Sequence, residues 1–204
     1  GSEMCIRDSL QIAFEHDNTL LIEKFIPGRE FRIFIINDEV VGILHRVPAN
    51  VTGDGVLNIG QLIDRKNEDP LRGKGYRTPL EKIRKGREEE MFLKQQGMDF
   101  NTVPKEGEVV YLRENSNIST GGDSIDFTDD IDDSYKAIAV EAAKALNVKI
   151  TGLDMMIQDI HAPATPDNYA IIEMNFNPAI HIHCYPFKGK NRHLNHKMIR
   201  ALGF

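Results

Sequence analysis

Asp154, Glu173 and Asn175 are the residues whose types and spacing offer chemistry most directly. They lie in two stretches, Thr151-Gly-Leu-Asp-Met-Met-Ile157 and Tyr169-Ala-Ile-Ile-Glu-Met-Asn-Phe-Asn-Pro178. Side chains in a strand alternate between faces, so Glu173 and Asn175 share one face, and Ile172, Met174 and Phe176 are expected to point into a core. Asp154 opposes Leu153, Met155 and Ile157 in the same way. If the loop His161-Ala-Pro-Ala-Thr-Pro-Asp167 closes a hairpin, three hard oxygen donors converge. Magnesium is held by one or two carboxylates with substrate phosphates and water, which suits this set. Alternation alone does not decide the matter, because any half-buried sheet shows it.

The elements that must position these residues can be read from pattern. Phe31-Arg-Ile-Phe-Ile-Ile36 and Val40-Val-Gly-Ile-Leu44 bracket Asn37-Asp38, which predicts two strands and a tight hairpin. Leu20 to Glu23 reads as a further short strand that leaves through Pro27-Gly28. Apolar positions Tyr135, Ile138, Ala139, Ala142 and Leu146 follow helical spacing, with Asp132-Asp133-Ser134 as the cap, so a helix covers the sheet. Val109 to Leu112 returns to strand and leads into a polar loop ending at Gly121-Gly122. A last helix is expected near Leu194 to Ala201. Between about residues 53 and 108 the composition turns charged, with helical patches at Ile59 to Arg65 and Pro79 to Gln95. This is expected to be a helical excursion from the sheet, and the charges from Lys82 to Glu90 are expected to form a solvated helix face.

Bulk properties narrow the class. The 204 residues suffice for one substantial core. A net charge of -6 disfavours nucleic-acid binding, which needs a basic stripe. No apolar run is long enough for a membrane span, and a cytoplasmic protein is the expectation. Cys5 and Cys184 are too few for a disulfide framework. Residues 1–9, beginning Gly1-Ser2, read as a tag or non-native leader, which leaves 10–204 for the fold.

Four stretches carry a resemblance: Leu21-Ile-Glu-Lys-Phe-Ile-Pro-Gly-Arg-Glu-Phe-Arg32, Arg46-Val-Pro-Ala-Asn-Val-Thr-Gly-Asp-Gly55, Asn67-Glu-Asp-Pro-Leu-Arg-Gly73 and Leu112-Arg-Glu-Asn-Ser-Asn-Ile-Ser-Thr-Gly-Gly-Asp123. With Glu-x-Asn followed by Asn-Pro, they resemble the ATP-grasp ligases, above all the C-terminal module of bifunctional glutamate-cysteine ligase/glutathione synthetases. Cyanophycin synthetases share several of them. The resemblance implies an α+β fold, the C-terminal part of an ATP-grasp domain, with a mainly antiparallel sheet flanked by helices. It implies ATP and magnesium, or manganese, as cofactors, with γ-glutamylcysteine and glycine joined through an acyl phosphate. The alternatives it leaves are a cyanophycin-type amino-acid ligase and a non-catalytic fold fragment.

Roles follow by the same resemblance. Glu23 and the backbone of Lys24, Phe25 and Ile26 would read adenine, and Glu30 would take the ribose. Arg113 would steady the transferred phosphoryl group, with Arg46 as a further positive charge. Asn117, Ser119, Thr120, Gly121 and Asn177 would form the substrate side, and Asp154, Glu173 and Asn175 would hold the metal. An ordinary turn at Pro27-Gly28 and a plain Gly-Gly turn remain the simpler readings of two of these motifs. His181, His183 and Cys184 also raise zinc, although a closed site needs a fourth ligand. The N-terminal lobe and the ligase domain are expected upstream. The chain alone is therefore expected to bind ATP weakly and to show no turnover, and homodimerisation through exposed sheet edges is an expectation.

Overall fold

Asn37 and Asp38 both adopt left-handed backbone angles, with φ 45° and 64°. This geometry suits a two-residue hairpin whose twist matches its strands. It joins β1 (Arg29–Ile36) to β2 (Glu39–Val47). The computed structural model describes residues 7, 10, 11, 13–15, 17–22 and 24–204.

Beyond β2 the chain forms β3 (Asn50–Thr52), α1 (Ile59–Lys66), β4 (Arg72–Gly73), β5 (Leu80–Glu81), α2 (Arg87–Gln95) and β6 (Val109–Tyr111). It continues through β7 (Asp123–Asp126), α3 (Asp133–Ala145), β8 (Ile150–Ile157), β9 (Tyr169–Asn175), α4 (His181–Cys184) and α5 (Leu194–Ala201). The main sheet runs β7-β2-β1-β8-β9 and every pairing in it is antiparallel. The architecture is α+β, as expected.

The two faces of this sheet differ in chemistry. Phe31, Ile33 and Ile35 of β1 and Leu153, Met155 and Ile157 of β8 are buried beneath Tyr135, Ala139 and Ala143 of α3. Asp132 caps α3 by accepting from the Ser134 N–H, satisfying one of the donors a helix start leaves free. Leu146 does not extend the apolar stripe: it is the C-cap residue and is exposed, and Ala143 fills the last turn instead. On the opposite face Phe34 and Ile36 pack under Cys184 and Leu194 at one end. Polar side chains hold the other end.

Residues between β2 and β7 build a second apolar cluster from Val51, Ile59, Leu62, Ile63, Ile83, Leu93, Val110 and Leu112. Here β3 pairs with β6, and β4 with β5, in two small sheets of their own. The helix expected over 79–95 is shorter, because Leu80 and Glu81 are strand and α2 begins after Gly86. Glu89 sets that start by accepting from the Gly86 N–H at 2.9 Å. The same residue corrects the solvated-face expectation for 82–90, since Glu89 is buried.

Two further expectations fail. Residues 20–22 and 24–27 form no strand, and Leu21, Ile22 and Phe25 are exposed. Ile172 and Phe176 are also exposed, because β9 is an edge strand whose register shifts after Asp154 pairs with Glu173, leaving Ile172 out of the ladder. Among the described residues, no helix is long and apolar enough to cross a membrane.

Candidate functional site

Strand register builds the site. Arg32 pairs with Asp154, Asp154 with Glu173, and Gly152 with Asn175, and directly opposed residues share a face. Glu30 and Arg32 of β1, Arg46 of β2, Asp154 of β8, and Glu173 and Asn175 of β9 therefore lie on the face away from α3. Gly152 is needed between them: a Cβ there would come within 2.7 Å of Pro178 Cβ and 3.0 Å of Arg32 Cδ. That close approach lays the Asn177-Pro178 bend against the arginine stem.

Asp154 is almost fully buried and is gripped by two guanidiniums. Arg32 donates Nε to Oδ1 and, at 2.7 Å, Nη2 to Oδ2. Arg46 Nη2 reaches Oδ2 at 3.0 Å and also pairs with Glu30, whose other oxygen accepts from Ser116 Oγ. The two arginines and two carboxylates balance in charge. The pairing is incomplete, because Arg46 Nε is buried without a hydrogen-bond partner. A buried donor left unpaired costs about 1–3 kcal/mol unless a water or ligand satisfies it.

Glu173 and Asn175 lie side by side, with Asn175 Nδ2 donating to Glu173 Oε1 at 2.8 Å. Two carboxylates and an amide oxygen on one face are the kind of hard donor set a magnesium-sized cation takes, although both Asp154 oxygens here also accept from arginine. Among the described residues no group of three or more carboxylate, histidine or cysteine side chains could hold a metal. The zinc reading thus gains nothing from His181, His183 and Cys184. His183 is fully buried with neither ring nitrogen bonded, and Cys184 Sγ faces Asn195 Oδ1 at 3.8 Å.

Arg113 is occupied differently from the expectation. Its Nε donates to Glu89 Oε1 at 2.7 Å, and it also pairs with Glu88. It still borders a cleft of about 610 Å³ together with Arg29, Glu30, His45, Arg46 and Ser116. The loop after it does not offer the row of free backbone donors expected there. The N–H groups of Thr120 and Gly122 bond to Asn117 O, and that of Gly121 to Ile118 O. Thr120 Oγ1 is held by Asn115 Oδ1 and Asn117 O. Gly121 is left-handed at φ 94°, and a Cβ would meet Ile83 Cα at 2.8 Å, so the loop is pressed against the 72–83 segment.

The remaining candidates are dispersed. Asn117 borders both this cleft and a smaller one, and Ser119 borders the smaller. Asn177 is exposed in the bend after β9. Lys24 and Phe25 are exposed and Ile26 is half-buried, and none of the three borders either cleft. Glu23 lies outside the described residues, as does Cys5.

Two histidines flank the site with shifted protonation. Burial, then the nearby Arg29 charge, lowers His45 to about 4, and its Nδ1 lies 3.0 Å from Glu30 O. Burial, then Arg32, lowers His183 to about 3. Sequence reasoning gave no role to Arg32, His45 or Ser116. Arg32 had one available signal, its two-residue spacing from Glu30 in a strand; its meeting with Asp154 depends on a register no single strand reveals.

No family model matches the chain. It is 65% identical over 192 residues to the glutathione biosynthesis bifunctional protein of Desulfotalea psychrophila, covering 94% of this chain and 25% of that protein. To the protein of the same name from Clostridium perfringens it is 58% identical over 194 residues, 95% of this chain and again 25% of the relative. The chain thus spans about a quarter of the length of the curated relatives it matches. The crystal structure of a bifunctional glutathione synthetase from Pasteurella multocida superposes with a TM-score of 0.82 at 44% identity, over 98% of this chain and 28% of that one. With these identities, and with that backbone path followed almost end to end, the chain is similar in sequence and fold to about a quarter of the bifunctional glutathione biosynthesis proteins.

Proposed function

We propose that this chain supplies one wall of the active site of an ATP-dependent carboxylate-amine ligase of glutathione synthesis, with γ-glutamylcysteine as acyl donor and glycine as amine. One observation carries the reading: Arg32, Arg46, Asp154, Glu173 and Asn175 converge on one sheet face. The upstream lobe of the longer polypeptide supplies the other wall, and the protein works in the cytoplasm.

Carboxylate activation places negative charge on the transferring phosphoryl group and then on the acyl phosphate. Arg32 and Arg46 are fixed guanidiniums beside the cleft, and preorganised cations of this kind stabilise such charge without reorganising. Glu30 and Ser116 hold Arg46 in place, and Asp154 holds Arg32. Glu173 and Asn175, with Asp154, would hold a divalent cation, whose contribution when bound is to neutralise phosphate charge. Burial keeps His45 neutral at pH 7, so it adds no competing charge.

Glu173→Gln in the full-length polypeptide tests this. Ligation of γ-glutamylcysteine to glycine should fall roughly 100-fold or more, with the fold intact by circular dichroism. Unchanged turnover, or a parent protein that prefers aspartate or arginine as substrate, overturns the glutathione reading.

A further inference from the structure

Helix α2 grips the end of β6 along one face, beside the larger cleft. Glu89, Phe92 and Gln96 follow one another at helical spacing, so they share a side of α2. At the far end of that side Gln96 Nε2 donates to Tyr111 O at 3.0 Å. At the near end Glu89, only 1% exposed, takes the guanidinium of Arg113 just beyond β6. Phe92, Gln96, Tyr111 and Arg113 all border the cleft of about 610 Å³.

The two carboxylates that meet Arg113 differ in kind. Glu89 is tied twice: its Oε1 accepts from Nε at 2.7 Å and pairs with Nη2 at 2.6 Å, while its Oε2 accepts from the Gly86 N–H at 2.9 Å. Withdrawing Glu89 would strand an arginine whose side chain is only 13% exposed and would free the helix start as well. Glu88 meets only Nη1, and its side chain is 69% exposed. A pair with so exposed a partner is weak, because water solvates the carboxylate whether or not it is paired. Glu88 does not border the cleft, whereas Arg113 does.

We propose that α2 sets Arg113 for an oxyanion in this cleft: Glu89 is its positioning residue, and Glu88 is an exchangeable counter-ion that an entering phosphate or carboxylate displaces from Nη1. Glu88 then competes with the ligand, while Glu89 fixes the direction in which the guanidinium points. The exchange leaves the pairs of Arg32 with Asp154 and of Arg46 with Glu30 untouched. Assigning the oxyanion to ATP or to the acyl donor rests on the ligase reading above; the unequal roles of Glu88 and Glu89 do not.

The two glutamates should therefore act in opposite directions. In the full-length polypeptide Glu88→Gln should lower the KM for ATP or for γ-glutamylcysteine about threefold, the scale of one exposed ion pair, with kcat within about twofold. A fall for ATP assigns a phosphate, and a fall for γ-glutamylcysteine a carboxylate. Glu89→Gln should cut kcat/KM for that same substrate about tenfold, because one amide oxygen cannot serve both Arg113 and the Gly86 N–H. The exposed Glu88 tolerates its change even if Glu89→Gln does not fold. KM values for both substrates that stay level or rise in Glu88→Gln overturn the proposal, as do two variants that shift one substrate the same way. If the parent forms no amide bond, the ligase reading fails and calorimetry on the 204-residue chain decides, with tripolyphosphate and γ-glutamylcysteine as probes. Tighter binding of either by Glu88→Gln than by the parent upholds the exchange, and equal or absent binding overturns it.

Discussion

Asp123 and Asp154 are both buried aspartates held between two cations, and they differ in where those cations can turn if the aspartate is lost. Asp123 receives Lys66 Nζ at 2.7 Å, Asn50 Nδ2 at 3.0 Å and Arg72. Lys66 is bonded further to Asn50 O, and Arg72 to two backbone carbonyls, although Arg72 Nε is buried without a partner and Lys66 and Asp123 border a cleft of about 480 Å³. Phe187 lies against both cations, 5.2 Å from Lys66 Nζ and 5.5 Å from Arg72 Cζ. Burial lowers the pKa of Lys66 and of Arg72, against the pull of Asp123. Around Asp154, Arg32 and Arg46 also border clefts and Arg46 Nε also lacks a partner, but both arginine side chains keep some exposure, whereas that of Arg72 keeps none. The first arrangement fastens the 53–112 segment to the sheet through a guanidinium sealed from water, and the second holds guanidiniums that water or a ligand can reach.

Asp123→Asn should therefore be the most damaging change. The Arg72 side chain is 0% exposed, so its charge would lose its counter-ion with no path to water. Stranding a buried charge in this way costs about 3–5 kcal/mol. Urea denaturation should show that loss, with amide exchange rising first across α1 and β4. A cost under about 1 kcal/mol would break the distinction between the clusters.

His183 probes the ground between them. Its ring packs edge-on to Phe34 at 5.4 Å and feels both Arg32, which lowers its pKa, and Asp126, which raises it. Because burial holds the folded value at about 3, below the 6.5 of the free side chain, the stabilisation from neutral His183 is complete above pH 6.5 and is withdrawn as pH falls toward 3. Well inside that window each pH unit is worth about 1.4 kcal/mol, so roughly 2 kcal/mol is lost between pH 6.5 and 4.5, where the slope is still building at the upper end. His45 titrates in the same sense toward about 4 and adds to the loss. His183→Phe should remove the His183 part and leave a shallower slope; an unchanged slope in urea midpoints across this range would assign the acid sensitivity elsewhere.

What the sequence revealed follows from how local the physics is. The β1–β2 hairpin was legible because Asn37-Asp38 encodes its own turn, and α3 because Asp132 caps it and its apolar spacing is helical. The shared face of Glu173 and Asn175 follows from alternation within one strand. Asp123–Asp126 was not legible as a strand, since Asp-Ser-Ile-Asp lacks apolar pattern and is held by pairing with β2. Glu89 was hidden for a similar reason, because its burial depends on Arg113 across the chain. Leu21, Ile22 and Phe25 misled in the other direction: they are apolar enough for a strand, yet no strand of the described structure pairs with them.

Asp154→Asn should cost the least, about 1–2 kcal/mol, although Asp154 is as deeply buried as Asp123. Arg46 keeps Glu30, and the side chains of Arg32 and Arg46 retain 9% and 13% exposure at the rims of their clefts, where water can replace a lost acceptor. Asparagine still presents one oxygen to Arg32. Adding Glu30→Gln removes the other carboxylate that pairs with Arg46, so the double variant should lose more than the two single changes combined, by about 1 kcal/mol of coupling between residues in one network. Strict additivity in urea midpoints would mean that the two carboxylates do not share Arg46 in solution. A single-variant cost matching that of Asp123→Asn would mean that the clefts beside these arginines do not admit water.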